Sequence, residues 1–257
     1  MRSIAIIPTY NERENIEGLV TAVLDANPAL DILIVDDDSP DGTGQIANRI
    51  AVAQQRVRVL HRQGKLGLGT AYIAGFRYAL AKDYDRIVEM DADFSHRPED
   101  LPRLLAAAAA ADVVVGSRAV AGGRVEGWSP LRHIISKGGS FYTRRLLGLP
   151  VKDRTSGFKC FRREVLLALD LDAVTSNGYG FQVELNHLAH RAGFRLVEVP
   201  IVFPDRRAGH SKMSGQIVVE AATLVWRPRR ARHAPTATFV TDQGTLPGST
   251  AASTARE

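Results

Sequence analysis

The chain has 257 residues, of which 45% are hydrophobic, enough for one α/β catalytic unit with a buried core. Its formal net charge of +5 and sequence pI near 9.5 favour phosphate-bearing partners, without choosing among nucleotides, anionic lipid and nucleic acid. A single cysteine, Cys160, excludes an internal disulfide and reads as a small, half-buried hydrophobe.

In chain order, the apolar run at 4–7 is too short for the core of a signal peptide and reads as a first strand closed by Pro8. A helix is expected next. Asn11 is the candidate N-cap, Glu12 and Glu14 fall in the first turn, and Ile16, Leu19, Val20, Val23 and Leu24 form one apolar stripe. Further β-branched runs at 32–35, 57–60, 86–90 and 113–115 alternate with segments of helical period, a helix beginning near Thr43 and another over 69–81. This alternation predicts βαβ units and an α/β fold with a mainly parallel sheet flanked by helices. After Gly157 the expectation is a helix from about Arg163, a second from Phe181 to Arg191, a strand over 195–201 and an amphipathic helix over 214–226. No apolar run reaches the ~18 residues that a membrane span needs, since the longest, at 104–115, contains Asp112. From Ala231 onward Thr, Ala, Ser, Gly and Pro dominate, and too little apolar surface remains to offset ordering entropy, so 231–257 is expected to be a disordered tail.

In open α/β sheets ligands bind beyond the carboxyl ends of the strands, so the loops there carry the chemistry. The strand at 86–90 runs into Asp91-Ala92-Asp93, two hard oxygen donors that can share Mg²⁺ or Mn²⁺ and leave positions open for a substrate's phosphates. Asp36-Asp37-Asp38 ends another apolar strand and offers carboxylates to a base or ribose, while Asp41 suits a turn and helix cap. Pro8-Thr9-Tyr10-Asn11-Glu12 closes the first strand with Tyr10 placed to flank a base. Gly67-x-Gly69, with Asp91 about twenty residues on, imitates a dinucleotide fingerprint. Three features oppose that reading: Tyr72 stands at the third glycine position, the motif is not in the first βα unit, and Asp93 is left without a role. The loop 203–212, with Arg206, Arg207, His210 and Lys212 around Gly209, suits a lid closing over a diphosphate. No aromatic-interleaved basic stripe points to nucleic acid.

Taken together and in order, Pro8-Thr9-Tyr10-Asn11-Glu12, Val35-Asp36-Asp37, Ser39-Pro40-Asp41-Gly42-Thr43, Leu66-Gly67-Leu68-Gly69-Thr70, Met90-Asp91-Ala92-Asp93, Gly116-Ser117-Arg118 and Arg206-x-x-Gly209-x-Ser211-Lys212 resemble the polyprenyl-phosphate (dolichyl-phosphate) mannose synthases, inverting family-2 glycosyltransferases of GT-A fold. The match covers about residues 4–226. It implies a catalytic domain at 1–230, nucleotide-binding to 117 and acceptor-binding from 118, that transfers mannose from GDP-mannose to polyprenyl phosphate. By the resemblance, Pro8, Tyr10, Glu12, Val35 and Asp37 contact guanosine, Asp91, Asp93 and Ser95 hold the metal, and Ala92, Arg118, Arg206 and Lys212 complete the donor site. Arg118, Arg132 and Ser136 hold the acceptor phosphate. Asp91, Asp93, Arg118, Arg206 and Lys212 are then the catalytic set. The near alternative is a polyprenyl-phosphate glucose or N-acetylglucosamine synthase using a UDP-sugar; a remoter one is a non-catalytic nucleotide-binding scaffold. The family's membrane-spanning members carry helices absent from this sequence, so contact with the cytoplasmic face of the membrane is expected to be peripheral or through a membrane-embedded partner. Apolar faces at 128–149 and 216–232, with Trp128 and Trp226, suit an interface.

Overall fold

A computed structural model of the chain describes residues 1–127, 148–176 and 178–204. The expected helix at 214–226, the tail, the lid residues Arg206 and Lys212, the acceptor residues Arg132 and Ser136, and most of the apolar segment at 128–149 lie outside the described residues.

Strand β1 (Ser3–Thr9) is followed by α1 (Ile16–Ala26), β2 (Leu30–Asp36), α2 (Thr43–Ala53), β3 (Val57–His61), α3 (Leu68–Ala81) and β4 (Arg86–Glu89). A 3₁₀ turn at Pro98–Asp100 leads into α4 (Leu101–Ala107) and β5 (Val113–Ser117). Then come β6 (Arg124–Val125), β7 (Lys159–Arg162), α5 (Arg163–Ala168), α6 (Gly178–Arg191), β8 (Leu196–Pro200) and β9 (Val202–Phe203). Seven strands form one sheet in the order β3-β2-β1-β4-β7-β5-β8, and β6 pairs with β9. Every neighbouring pair in the large sheet is parallel except those of β7, which runs antiparallel to both β4 and β5. The carboxyl ends of β1, β2, β4 and β5 therefore share an edge with the lead-in to β7.

Period-two alternation sorts the strands' side chains into two cores. Ile4, Ile6, Leu33, Val35, Ile87, Val113, Val115 and Phe161 face one way, onto Tyr72, Phe76 and Phe181. Ala5, Ile7, Ile32, Ile34, Val88, Met90, Val114 and Cys160 face the other, onto the stripe of α1 and onto Leu101 and Leu104. All five stripe residues of α1 are buried as the periodicity requires.

Three local expectations change. The α1 helix begins at Ile16 and not after Asn11, because Asn11 takes φ 60° and Glu12 first closes a turn in which its carbonyl accepts from the N–H groups of Asn15 and Ile16. Cys160 is fully buried, not half-buried, because β7 lies inside the sheet. The segment after Gly157, expected to open with a helix near Arg163, first contributes β7, which inserts between β4 and β5.

Helix α3 comes down onto β1 at Gly75, where an added Cβ would meet Ile6 Cγ2 at 2.4 Å. Cγ2 branches next to the backbone and cannot swing aside, so the helix itself would have to move. Gly75→Ala is therefore expected to destabilise the protein by about 1–2 kcal/mol despite alanine's better helix propensity, lowering Tm by several degrees. Thermal melts check this; an unchanged or raised Tm would show that the helix has room to lift.

Candidate functional site

The shared strand edge opens into a cleft of about 280 Å³ lined by Pro8, Thr9, Tyr10, Glu12, Asp37, Lys65, Asp91, Ala92, Asp93, Ser95, His96, Arg118, Thr155, Gly157, Gln182 and Phe203, among others. Of the site residues expected from sequence, Pro8, Tyr10, Glu12, Asp37, Asp91, Ala92, Asp93, Ser95 and Arg118 come together here. Val35 does not. Its side chain is fully buried in the core on the α3 side of the sheet, because alternation along β2 sends it away from the cleft.

The three consecutive aspartates separate by role. Asp36 is buried and accepts from the Thr9 hydroxyl at 3.0 Å and from the backbone N–H and hydroxyl of Ser39, which ties the ends of β1 and β2 together. Asp38 is exposed with φ 54°. Asp37 alone lines the cleft, paired with Arg62 at 3.1 Å and accepting from the Leu66 N–H. Burial pushes its carboxyl above the usual range, against the pull of Arg62. Asp41 caps Thr43 through backbone and hydroxyl. Thr43 in turn accepts from the Glu12 N–H, and Ser39 from the Asn11 N–H, so the first two loops are laced to each other. Lys65 sits 4.3 Å over the Tyr10 ring.

At the end of β4 the chain turns sharply. The Ser95 N–H donates to Asp93 Oδ1 at 3.0 Å, and the Asp91 N–H donates to His96 Nδ1 at 3.0 Å. That bond puts the imidazole proton on Nε2, which lies 3.9 Å from Asp91 Oδ2. Burial lowers the His96 pKa and keeps the ring neutral, and Phe158 and Phe203 clamp it at 5.0 and 5.7 Å between centroids. From the opposite face of the sheet the Tyr72 hydroxyl donates to Asp91 Oδ1 at 3.0 Å. Burial, reinforced by Asp91, pushes that phenol far above its ordinary pKa, so it remains a donor. Asp91 is thus held from both faces of the sheet, which fixes the direction of its carboxylate at the cleft.

Among the described residues no group of three His, Cys, Asp or Glu side chains is arranged to hold an ion. The available set is two carboxylates and the Ser95 hydroxyl, whose buried oxygen has no hydrogen-bond partner among the described residues. An all-oxygen set of this size fits Mg²⁺ or Mn²⁺ that takes its remaining ligands from phosphate and water.

The other end of the cleft was largely hidden in the sequence. Arg118 binds Asp153 in fork fashion, with Nε and Nη2 each 2.7 Å from a carboxylate oxygen, and Nη2 also reaches Thr155 Oγ1 at 2.9 Å. Burial raises the Asp153 pKa, but the Arg118 charge and hydrogen bonds outweigh it and hold the carboxyl below its usual range. Phe203, brought in by β9, lies 4.9 Å under the Arg118 guanidinium. Asp153, Thr155 and Gly157 had one signal, a polar run ahead of a strand; at four residues β7 was too short to show. The glycines of the fingerprint imitation also find their reason. A Cβ on Gly69 would lie 2.9 Å from both Phe181 Cδ2 and the Ser176 carbonyl, so that glycine serves helix packing, and Tyr72 serves Asp91.

Residues 4–169 match the family model described as Glycosyl transferase family 2. The chain is 53% identical to the undecaprenyl-phosphate mannosyltransferase of Micrococcus luteus, over 88% of this chain and 93% of that protein. It is 52% identical to the polyprenol monophosphomannose synthase of Mycolicibacterium smegmatis, over 86% of this chain and 84% of that one. Among solved structures, the mannosyltransferase PcManGT from Pyrobaculum calidifontis, in complex with GDP-Man and Mn²⁺, aligns with a TM-score of 0.59 at 17% identity, over 90% of this chain and 66% of that chain. That similarity establishes the GT-A fold.

Removing the donor that orients Asp91 tests the double grip. Tyr72→Phe is expected to weaken Mn²⁺ binding in the presence of GDP by about tenfold while leaving Tm nearly unchanged. Calorimetric titration reads this directly; wild-type Mn²⁺ affinity in the variant would show that Asp91 needs no such support.

Proposed function

The chain belongs to glycosyltransferase family 2, and from that membership and the geometry of the cleft we infer that it transfers mannose from GDP-mannose to polyprenyl phosphate with inversion, releasing GDP and polyprenyl β-mannosyl phosphate. The observation that carries this reading is the Asp91-Ala92-Asp93-x-Ser95 turn at the end of a central strand, in a chain more than half identical to polyprenyl-phosphate mannosyltransferases over nearly its whole length.

Sheet order arranges the reaction. Pro8, Tyr10, Glu12 and Asp37, after β1 and β2, receive the nucleoside, with the Tyr10 ring and its Lys65 partner offering a face to the base. Val35 contributes backbone only. Asp91, Asp93 and Ser95 would hold Mg²⁺ or Mn²⁺, which would supply positive charge to neutralise the departing diphosphate. Arg206 and Lys212 complete the diphosphate site, two cations suited to the charge of the departing group. Arg118, already oriented by Asp153, works with Arg132 and Ser136 on the acceptor phosphate.

A phosphate monoester is anionic near neutral pH, so its oxygen attacks the anomeric carbon without a side chain having to remove a proton. The protein's work is alignment of the two substrates and stabilisation of the leaving group. Since the acceptor is a membrane lipid, the catalytic unit acts at a membrane surface, peripherally or beside an embedded partner. Among the described residues no helix is long and apolar enough to cross a bilayer.

Incubation with radiolabelled GDP-mannose, a short polyprenyl phosphate and Mn²⁺ or Mg²⁺ is expected to give a labelled lipid stable to mild base and labile to acid. Asp93→Ala should lower its formation at least ~100-fold, and EDTA should abolish it reversibly. Labelling from UDP-glucose in place of GDP-mannose would overturn the donor, and no labelling from any nucleotide sugar would overturn the reaction.

A further inference from the structure

One ion pair at the nucleoside end of the cleft is used by none of the steps above. Arg62, the residue after β3, places Nη1 3.1 Å from Asp37 Oδ1, and the two side chains are only 9% and 7% exposed. Both backbones are tied to neighbouring strands, since the Arg62 N–H donates to the Asp36 carbonyl at 2.8 Å and the Asp37 N–H to the Thr9 carbonyl at 3.1 Å. Asp37 lines the cleft, and Arg62 stands behind it.

The other arm of the guanidinium closes a ring. Arg62 Nη2 donates to Thr70 Oγ1 at 2.7 Å, and the Thr70 hydroxyl has the Gly67 and Leu66 carbonyls at 2.8 and 3.0 Å to receive its own proton. The Leu66 N–H returns to Asp37 Oδ2 at 3.3 Å. The chain from Arg62 to Thr70 is thereby folded back on Asp37, with Gly64 at φ 142° and Gly67 at φ 102° making the bends. Lys65 lies within this loop, its ammonium 4.3 Å from the centroid of the Tyr10 ring. One arginine thus governs both Asp37 and the segment that reaches Tyr10, two of the groups that receive the nucleoside.

Charge explains why this arrangement matters for binding. An ionised carboxylate accepts with both oxygens, whereas a protonated Asp37 would turn a donor toward the N–H and O–H groups of a nucleoside. Burial acts to neutralise Asp37, and Asp36 beside it acts in the same sense; Arg62 and the backbone N–H groups of Leu66 and Gly67 oppose them. Lys65 and Glu12 are the other charged residues on this stretch of the cleft, and Arg62 is the cation in contact with the carboxylate. Without Arg62 a nearly buried carboxylate would lose its counter-charge, and its pKa would rise further.

Resting on the nucleotide-sugar reading of the cleft, we propose that Arg62 is a positioning residue for the donor, one that fixes the direction of the Asp37 carboxylate toward the nucleoside and holds the loop 62–70 so that Lys65 meets Tyr10. Its effect on the donor passes through Asp37 and the loop, without contact of its own.

The test uses the full chain with Mn²⁺ and titrates GDP-mannose, whose diphosphate diester keeps one ionisation state near neutrality, from about pH 5 to 9. Arg62→Met, which keeps the length and loses the charge, is expected to weaken binding about tenfold at neutral pH, with kcat at saturating donor within about twofold of wild type. Affinity falls on the acid side as Asp37 protonates, and in Arg62→Met that fall should begin about one pH unit higher, because the carboxyl has lost the charge that held it down. Arg62→Lys should return the profile to that of wild type, which separates loss of charge from a folding defect in the methionine variant. In an Asp37→Asn background, Arg62→Met should leave the pH profile unchanged and cost at most about threefold further, the part carried by the loop alone. Fully additive losses in the double variant, an unshifted profile in Arg62→Met, or kcat falling as far as affinity would each overturn the proposal while leaving the reaction standing. A wild-type protein that neither binds nor turns over GDP-mannose would overturn the functional reading and the proposal together.

Discussion

A carboxylate at the end of a buried strand has to be held still while remaining open to a ligand, and the cleft is built around that demand at Asp91. The Tyr72 hydroxyl approaches from the helix layer on one side of the sheet and the His96 ring from the turn on the other. Each of these holders is itself immobilised, Tyr72 by a 6.0 Å stack on Phe181 and His96 between Phe158 and Phe203. Phe158 precedes β7 and Phe203 lies in β9, so the turn from Asp91 to His96 is braced by parts of the chain distant in sequence. Catalysis by positioning needs that kind of rigidity, since an ångström of looseness at a side chain that meets substrate costs orders of magnitude in rate.

The same strand pair carries a second cost. Glu89 and Lys159 lie wholly out of water, and burial drives the carboxyl up to about 7 and the ammonium down to about 8, each toward its neutral form against the attraction of the other. A hydrophobic pair would fill this space with less penalty. What an ion pair adds is direction, because the Lys159 ammonium only donates, and so turns the Gln182 side-chain oxygen toward itself.

Arg118 shows how a cation lining the cleft is held in one orientation. Its fork contact with Asp153 fixes the plane of the guanidinium, and Asp153 is in turn anchored at its backbone N–H by Glu198 at 2.9 Å. The pairing also offsets the Arg118 charge locally. Arg118 supplies geometry more than attraction.

The sequence alone determined the parallel core, because five short β-branched runs and a 3.6-residue stripe leave few other ways to bury their apolar faces, and each loop motif followed one of those strands. It also singled out Asp91, Asp93, Asp37 and Tyr10, whose chemistry is conspicuous beside a buried strand, while Arg118 stood out only through the family resemblance. Only the tertiary structure decided the rest. The strand β7 has four residues and no pattern of its own, yet it inserts between β4 and β5 and brings Asp153, Gly157 and Lys159 to the site from more than sixty residues beyond Asp91. Val35 looks equivalent to Asp37 in a motif, but strand alternation turns one side chain into the core and leaves the other at the cleft. Gln182 reads as an ordinary helical residue until its partners are known, because the direction of an amide is set by contacts across the fold that local sequence does not encode.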